Sequence, residues 1–304
     1  MTDEQTFALA LDTLRAGEPL SNELLTALSH LERGELAAFG QVWSRLEPDR
    51  RLELLGRLTA SERANLRQDF NAIYGLALAD PDPAVRRAAV ESVVEDEGAR
   101  LLARLIDLAS NDPDSDVRRA ALTCLAPFAL RAELGEIGDE WRPSLERCLL
   151  AVVRAAGADI AQRREALASL GYLDSDAVAE EIRRAFADPE LRQVAVKAMG
   201  RTANPGWLPL LRQEARAKDV ELRREVAVAA GEVADQRASK FVVDMLDDPS
   251  LDVRLAAIAA LGQIGGDEAR DGLIYALEDK RDAVREAAQE ALSTLESDED
   301  PLAL

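Results

Sequence analysis

Histidine is all but missing from this chain. His30 is the only one in 304 residues, and it lies alone in an apolar helical stretch. No histidine-based metal site or catalytic triad can be assembled around it, so the sequence implies no metal and no cofactor. Cysteine is almost as scarce. Cys124 and Cys148 are the whole complement, each inside an apolar helical pattern, with no C-x-x-C motif. They read as two reduced core thiols, which points to a cytoplasmic protein, rather than as a disulfide or redox pair. Aromatics make up 4% of a chain that is 47% hydrophobic, so alanine and leucine carry the apolar content. That composition favours helices over sheets. No segment alternates like a strand. No uncharged apolar run approaches the ~18 residues that a membrane span needs. The acidic start MTDEQTFALALDTL lacks the basic and apolar regions of a signal peptide. A glycine-rich phosphate loop is missing too, because GQIGG (262–266) reads as a helix end followed by a turn.

Positive charge is also short. Thirty-seven Lys and Arg face 57 Asp and Glu, for a net charge of −20. Nucleic-acid binders draw most of their affinity from neutralising phosphates, and a field of this sign works against that. It opposes anionic membrane surfaces equally. Carboxylates are abundant, but no pair stands out as an acid/base couple.

What the chain does contain is a repeated phrase. DPDSDVRRAALTCLA (112–126) has counterparts aligned on Arg86, Arg118, Arg163, Arg192, Arg223, Arg254 and Arg285, spaced 32, 45, 29, 31, 31 and 31 residues apart. Three residues after each arginine stands Ala89, Ala121, Ala166, Ala195, Val226, Ala257 or Ala288, and six after stands Ser92, Cys124, Ser169, Ala198, Ala229, Ala260 or Ala291. With the residue before the arginine (a valine or leucine, except Gln162), these offsets lie on one face of an α-helix. Four of these helices close on a glycine (Gly171, Gly200, Gly231, Gly262), where a left-handed cap is expected. Turns such as Asp80-Pro81, Asp112-Pro113 and Asp248-Pro249 open them, and second helices fill the intervals. Each unit is therefore a helix hairpin that covers its apolar face only by stacking on its neighbours.

The pattern D-P-x-x-x-V-R-x-x-A-x-x-A-L-G resembles the HEAT repeat, in the short form known as the PBS-lyase HEAT-like repeat. The resemblance implies an all-α, right-handed α-solenoid of stacked helix hairpins. It implies that the V-R helix is the second of each pair and lines a concave side, and that the Asp and Arg columns form a ladder between turns. Seven such repeats fill 66–296. Residues 1–65 are helical but off-pattern and read as a capping region, while 297–304 read as an acidic, disordered tail.

The row one position past each ladder arginine points away from the core face and holds Arg87, Arg119, Arg164 and Arg224, with Lys197 four residues beyond Gln193. Beside it runs an apolar row that includes Leu122, Leu167 and Val196, expected to be semi-exposed. Together they make a candidate concave groove for a partner protein or peptide with an acidic or amphipathic segment. The alternative is a solvated face with local pairs such as Arg87 and Glu91, and an apolar row consumed by packing. The insertion 131–142 is the one clear break in rhythm, and its Trp141 either anchors a partner or opens the next helix. The function expected is that of a non-enzymatic protein-interaction scaffold. The alternative is a role like that of bilin lyases, or of another enzyme accessory, because short HEAT-like repeats also occur there.

Overall fold

A computed structural model describes residues 2–65, 67–93, 99–155 and 157–299. Among the described residues every regular element is helical. The chain forms two compact units, the first ending at Phe128 and the second beginning at Ala129. The first holds α1 (Asp3–Arg15), α2 (Asn22–Thr26), α3 (Arg33–Trp43), α4 (Pro48–Ala64), α5 (Asn71–Ala77), α6 (Pro83–Ser92) and α7 (Ala99–Asn111). It also holds most of α8 (Ser115–Glu133), whose internal Pro127 lies one residue before the unit's end. The second holds α9 (Trp141–Arg154), α10 (Ile160–Leu170), α11 (Asp176–Ala187), α12 (Arg192–Arg201), α13 (Leu208–Glu214) and α14 (Val220–Val233). It continues with α15 (Ser239–Asp244), α16 (Leu251–Ile264), α17 (Asp267–Ala276) and α18 (Asp282–Glu299). Short 3-10 turns precede α13 and α15 and follow α15. The expected acidic tail begins inside α18, and residues 300–304 lie outside the described residues.

The V-R helices are α6, α8, α10, α12, α14, α16 and α18. Their core columns are buried as the periodicity requires: Val85, Val117 and Val253 before the arginine, and every residue three positions after it, are fully inside. The neighbouring apolar row departs from expectation. Val90, Leu122, Leu167, Val196 and Ala227 are 0% exposed and Ile258 is 1% exposed. Leu167, Val196, Ala227 and Ile258 lie on helices that each pack against the next V-R helix, and the whole row is packed inside and offers no groove surface. In the last repeat the same position is Gln289, which is exposed, and the glycine position is Ser293, also exposed. A polar pair thus replaces the apolar and glycine contacts on the outer side of α18.

The glycines also do something other than predicted. Gly171 has φ −58°, and the left-handed glycines are Gly17, Gly135, Gly265 and Gly266. After α12 and α14 the left-handed position falls instead on Ala203 (φ 49°) and Ala234 (φ 52°), and α16 ends not on Gly262 but on Gly265 (φ 67°). A Cβ on Gly171 would come within 2.7 Å of the Ala198 Cα, one on Gly200 within 2.6 Å of the Ala229 Cα, and one on Gly231 within 2.9 Å of the Ala260 Cα. Glycine is required for close helix crossing, because the alanine six residues past the next arginine packs directly on it.

The Arg–Asp ladder ties successive turns together. Arg86 donates through Nε and Nη2 to Asp112, both at 2.8 Å, and through Nη1 to the Asp80 and Pro81 carbonyls. Arg223 repeats this on Asp248 at 2.6 and 3.0 Å. Arg163–Asp188 and Arg254–Asp279 are looser ion pairs at 3.6 and 3.7 Å. Each receiving Asp also accepts from the backbone N–H two residues on, as Asp112 does from Asp114 at 2.9 Å. The ladder breaks in two places. Among the described residues Arg118, followed by the insertion, keeps only its bonds to the Asp112 and Pro113 carbonyls. Arg192 faces a repeat with Ala217 at the position held elsewhere by Asp80, Asp112, Asp248 and Asp279, and it lies over the Phe186 ring. The repeat motif gave no sign that α4 joins in. Arg51 reaches Asp80 at 2.5 Å, Trp43 donates to the same carboxylate at 2.8 Å, and Leu54, Leu55 and Leu58 are buried on α4.

Candidate partner-binding site

The expected contact row divides between the two units. In the first, Arg87 lies 3.6 Å from Glu91 and 4.0 Å from Asp116, and Arg119 lies 3.0 Å from the same Asp116. Both arginines are exposed, and both are answered by carboxylates of the fold itself. Leu122 is buried beneath them.

In the second unit Arg164, Lys197 and Arg224 are brought together. They line one open depression of about 700 Å³ over α10, α12 and α14. Helix periodicity places them there. Arg164 and Arg224 each follow a ladder arginine, Lys197 stands five residues past Arg192, and stacking of the three helices aligns the positions side by side. Leu167 and Val196 form the packed floor under this row and offer no surface. The charge is not the uniformly basic strip that the row implies. Arg192, Glu165, Glu190, Asp219 and Glu225 line the same depression, so four cations face four carboxylates.

The cations differ in how far the protein uses them. Arg224 lies 3.2 Å from Glu221 and 3.5 Å from Glu225. Arg164 donates to the Glu190 carbonyl at 2.9 Å. Among the described residues neither Arg164 nor Lys197 has a carboxylate at ion-pair distance. Further along the same helices, Arg201 donates to the Ala168 carbonyl at 2.6 Å and stacks 4.4 Å from the Tyr172 ring centre. Partial desolvation holds the Glu232 carboxyl above the usual carboxylate range, against the pull of Arg201 and Lys197.

Trp141 does not join this row. It is the first residue of α9, half-buried, with its backbone N–H donated to the Gly138 carbonyl at 3.0 Å, the place that the helix-opening alternative gives it. The first residues of the insertion, to Glu133, continue α8 as helix. Trp207 is packed at 3% exposure under Arg183, with its indole N–H on Thr202. Cys148 is buried, and burial, with a smaller push from Glu91, raises the Cys124 thiol to about 11. Among the described residues no group of His, Cys, Asp and Glu is arranged to hold a metal ion, and no helix is long and apolar enough to cross a membrane.

Comparison with known proteins places the fold. A chain of the Kap95p–RanGDP complex superposes with a TM-score of 0.62 at 15% identity, over 96% of this chain and 45% of that one. A chain of the Kap95:Nup1 complex gives 0.58 at 14% identity, over 96% and 46%. This chain thus spans about half the length of those proteins. A chain of the CpcE–CpcF complex of phycocyanin lyase from Nostoc sp. PCC7120 gives 0.50 at 15% identity, over 74% and 94%. No curated protein matches by sequence. The sequence profile of HEAT repeats does match, over residues 72–156, 182–253 and 239–304. Those spans hold most of the arginine, aspartate and glycine columns whose packing is described above, and the chain belongs to the HEAT-repeat family, an α-solenoid of stacked helix hairpins.

Proposed function

We propose that this protein is a non-enzymatic scaffold that holds a segment of another protein across α10, α12 and α14. The observation that carries this is the pairing state of the row. Among the described residues no carboxylate lies at ion-pair distance from Arg164 or Lys197, and Lys197 acts only at longer range on Glu232, although 57 acidic residues compete for 37 cations. A charge left unanswered on a solvated face contributes little to stability. It is available to a partner's carboxylates, in a depression whose cations match its carboxylates in number on a chain of net charge −20. The fitting partner is therefore a peptide segment with acidic side chains, gripped by Arg164 and Lys197 and oriented by Arg224. The HEAT solenoids of the Kap95 complexes support the class of function, since they were solved bound to proteins.

The test is capture of the partner from the native cell, then titration against the parent protein and the triple variant Arg164→Glu, Lys197→Glu, Arg224→Glu at two salt concentrations. All three side chains lie outside the packed columns, so the variant should fold and melt like the parent. Binding should weaken sharply, and its salt dependence should flatten. Equal affinity for both proteins would refute the proposal. A chromophore-handling role is the second reading, and only the likeness in fold to the phycocyanin lyase complex supports it. Uptake of a bilin by the purified protein, giving a coloured product, would replace the scaffold reading.

A further inference from the structure

The outer face of α17 carries two large apolar side chains that the fold does not use. Ile274 is 50% exposed and Tyr275 is 56% exposed. The helix is held by its other side, where Ala269, Gly272, Leu273 and Ala276 are buried and a Cβ on Gly272 would meet Val243 at 2.7 Å. Single exposed apolar residues are ordinary on a protein surface. An adjacent pair on a well-packed helix, with the aromatic ring fixed in place, is a different matter. The Tyr275 hydroxyl donates to Asp247 at 3.0 Å, on the 3-10 turn Met245–Asp247 after α15. The ring is therefore oriented before anything binds, which lowers the ordering cost of a contact.

Carboxylates surround the pair. Asp271 lies three and four residues before it, and Glu278 lies four and three after it, which puts both on the same face of the turn. Asp247 completes the rim. Among the described residues none of Asp247, Asp271 and Glu278 has an ion-pair partner, whereas nearby Asp244 is answered by Arg216 at 3.3 Å and Asp279 by Arg254 at 3.7 Å. Asp247, Asp279 and Glu278 also act on the phenol, raising its affinity for its proton.

The geometry points to a second docking surface on α17, where Ile274 and Tyr275 anchor a basic segment of a partner protein and Asp247, Asp271 and Glu278 pair with its lysines and arginines. Charge complementarity selects this occupant. A net charge of −20 attracts a cationic segment over a long range and repels nucleic acid, anionic lipid and a second copy of this chain. At contact, a guanidinium or ammonium over the Tyr275 face gains the attraction of the ring, while an aliphatic residue covers Ile274. This surface is separate from the Arg164–Lys197–Arg224 row and selects the opposite charge.

The test uses the full-length protein and two labelled synthetic peptides, one amphipathic and built of lysine, arginine and leucine, the other with every cation replaced by glutamate. Fluorescence anisotropy should show binding of the basic peptide only. Ile274→Ala with Tyr275→Ala should weaken it on the order of tenfold, the loss expected for an apolar anchor at the centre of a contact. Asp247→Asn, Asp271→Asn and Glu278→Gln together should weaken binding and flatten its salt dependence. The groove variant Arg164→Glu, Lys197→Glu, Arg224→Glu should bind the basic peptide no less tightly than the parent, so failure of the scaffold proposal leaves this one standing. Unchanged affinity in the alanine pair would mean generic attraction to an acidic chain and would overturn the proposal. Failure of the parent to bind would do the same. So would self-association of the parent that the alanine pair abolishes, since the occupant would then be a second copy.

Discussion

Replacing one glycine with alanine at two equivalent positions should move stability in opposite directions. Gly200 and Gly262 each stand eight residues past a ladder arginine, near the end of a V-R helix. At either site alanine gains about 1 kcal/mol of helix propensity. The difference lies in what the new methyl group meets. On Gly200 it would lie 2.6 Å from the Ala229 Cα and 2.9 Å from its Cβ, and Ala229 is fully buried. A backbone atom cannot rotate aside, so α12 and α14 must separate, and overpacking of this kind costs about 1–3 kcal/mol. The contact is backbone, so the upper part of that range applies. The net destabilisation is then about 1–2 kcal/mol once the ~1 kcal/mol propensity gain is subtracted. On Gly262 the methyl group would meet the Ala291 Cβ at 3.4 Å, an ordinary contact. There the propensity gain survives, and Gly262→Ala should stabilise by up to about 1 kcal/mol. Urea unfolding of the two single variants beside the parent, followed by far-ultraviolet circular dichroism, measures both. Shifts of the same sign would refute the claim that these glycines are spaced for helix crossing.

Removing a ladder carboxylate should be worse. Asp112→Ala leaves Arg86 buried without its partner and should cost about 3–5 kcal/mol at pH 7. Burial works to raise the Asp112 carboxyl, but hydrogen bonds from Arg86 and the Asp114 amide outweigh it and hold the group below its usual range. A depressed carboxylate stabilises above its unfolded value of about 3.9 and loses that contribution as pH falls through the native value, so parent and variant should converge toward pH 3 in urea midpoints. An unchanged gap would contradict the ion-pair account. Ala257→Leu, at a fully buried position, should destabilise by about 1–3 kcal/mol, and a melting curve superposing on the parent's would show the core face to be wrongly assigned. The Cys124 thiol, raised to about 11 mainly by burial, should alkylate slowly in the native protein at pH 8 and faster at each higher pH, while fast labelling of native protein at pH 8 would contradict that environment.

The sequence by itself determined the architecture, because a helix hairpin of about 31 residues repeats its own constraints. Val85, Ala89 and Val93 recur at helical offsets, and nothing but stacking of one hairpin on the next can bury them. The ladder was implied by the resemblance to HEAT repeats, and the structure forms it at Arg86, Arg163, Arg223 and Arg254 but not at Arg118 and Arg192. What the sequence left undecided were distances across the stack. Periodicity names the face on which Leu167 and Val196 lie, but only the approach of the next helix decides whether that face is open. The alanine–glycine crossings bring the helices close enough to close it. Local propensity likewise points a glycine at a helix end toward a left-handed cap, whereas at Gly171, Gly200 and Gly231 the facing Ala198, Ala229 and Ala260 require glycine for its missing methyl group. The same holds for charge. Arg87, Arg119 and Arg164 occupy one repeat position, yet Glu91 and Asp116 pair with the first two and, among the described residues, no carboxylate lies at ion-pair distance from the third. Tyr275 and Ile274 read as two more apolar residues at helical spacing. Their exposure was settled by α15 and α16, which satisfy the opposite side of α17 and leave the pair facing solvent among Asp247, Asp271 and Glu278.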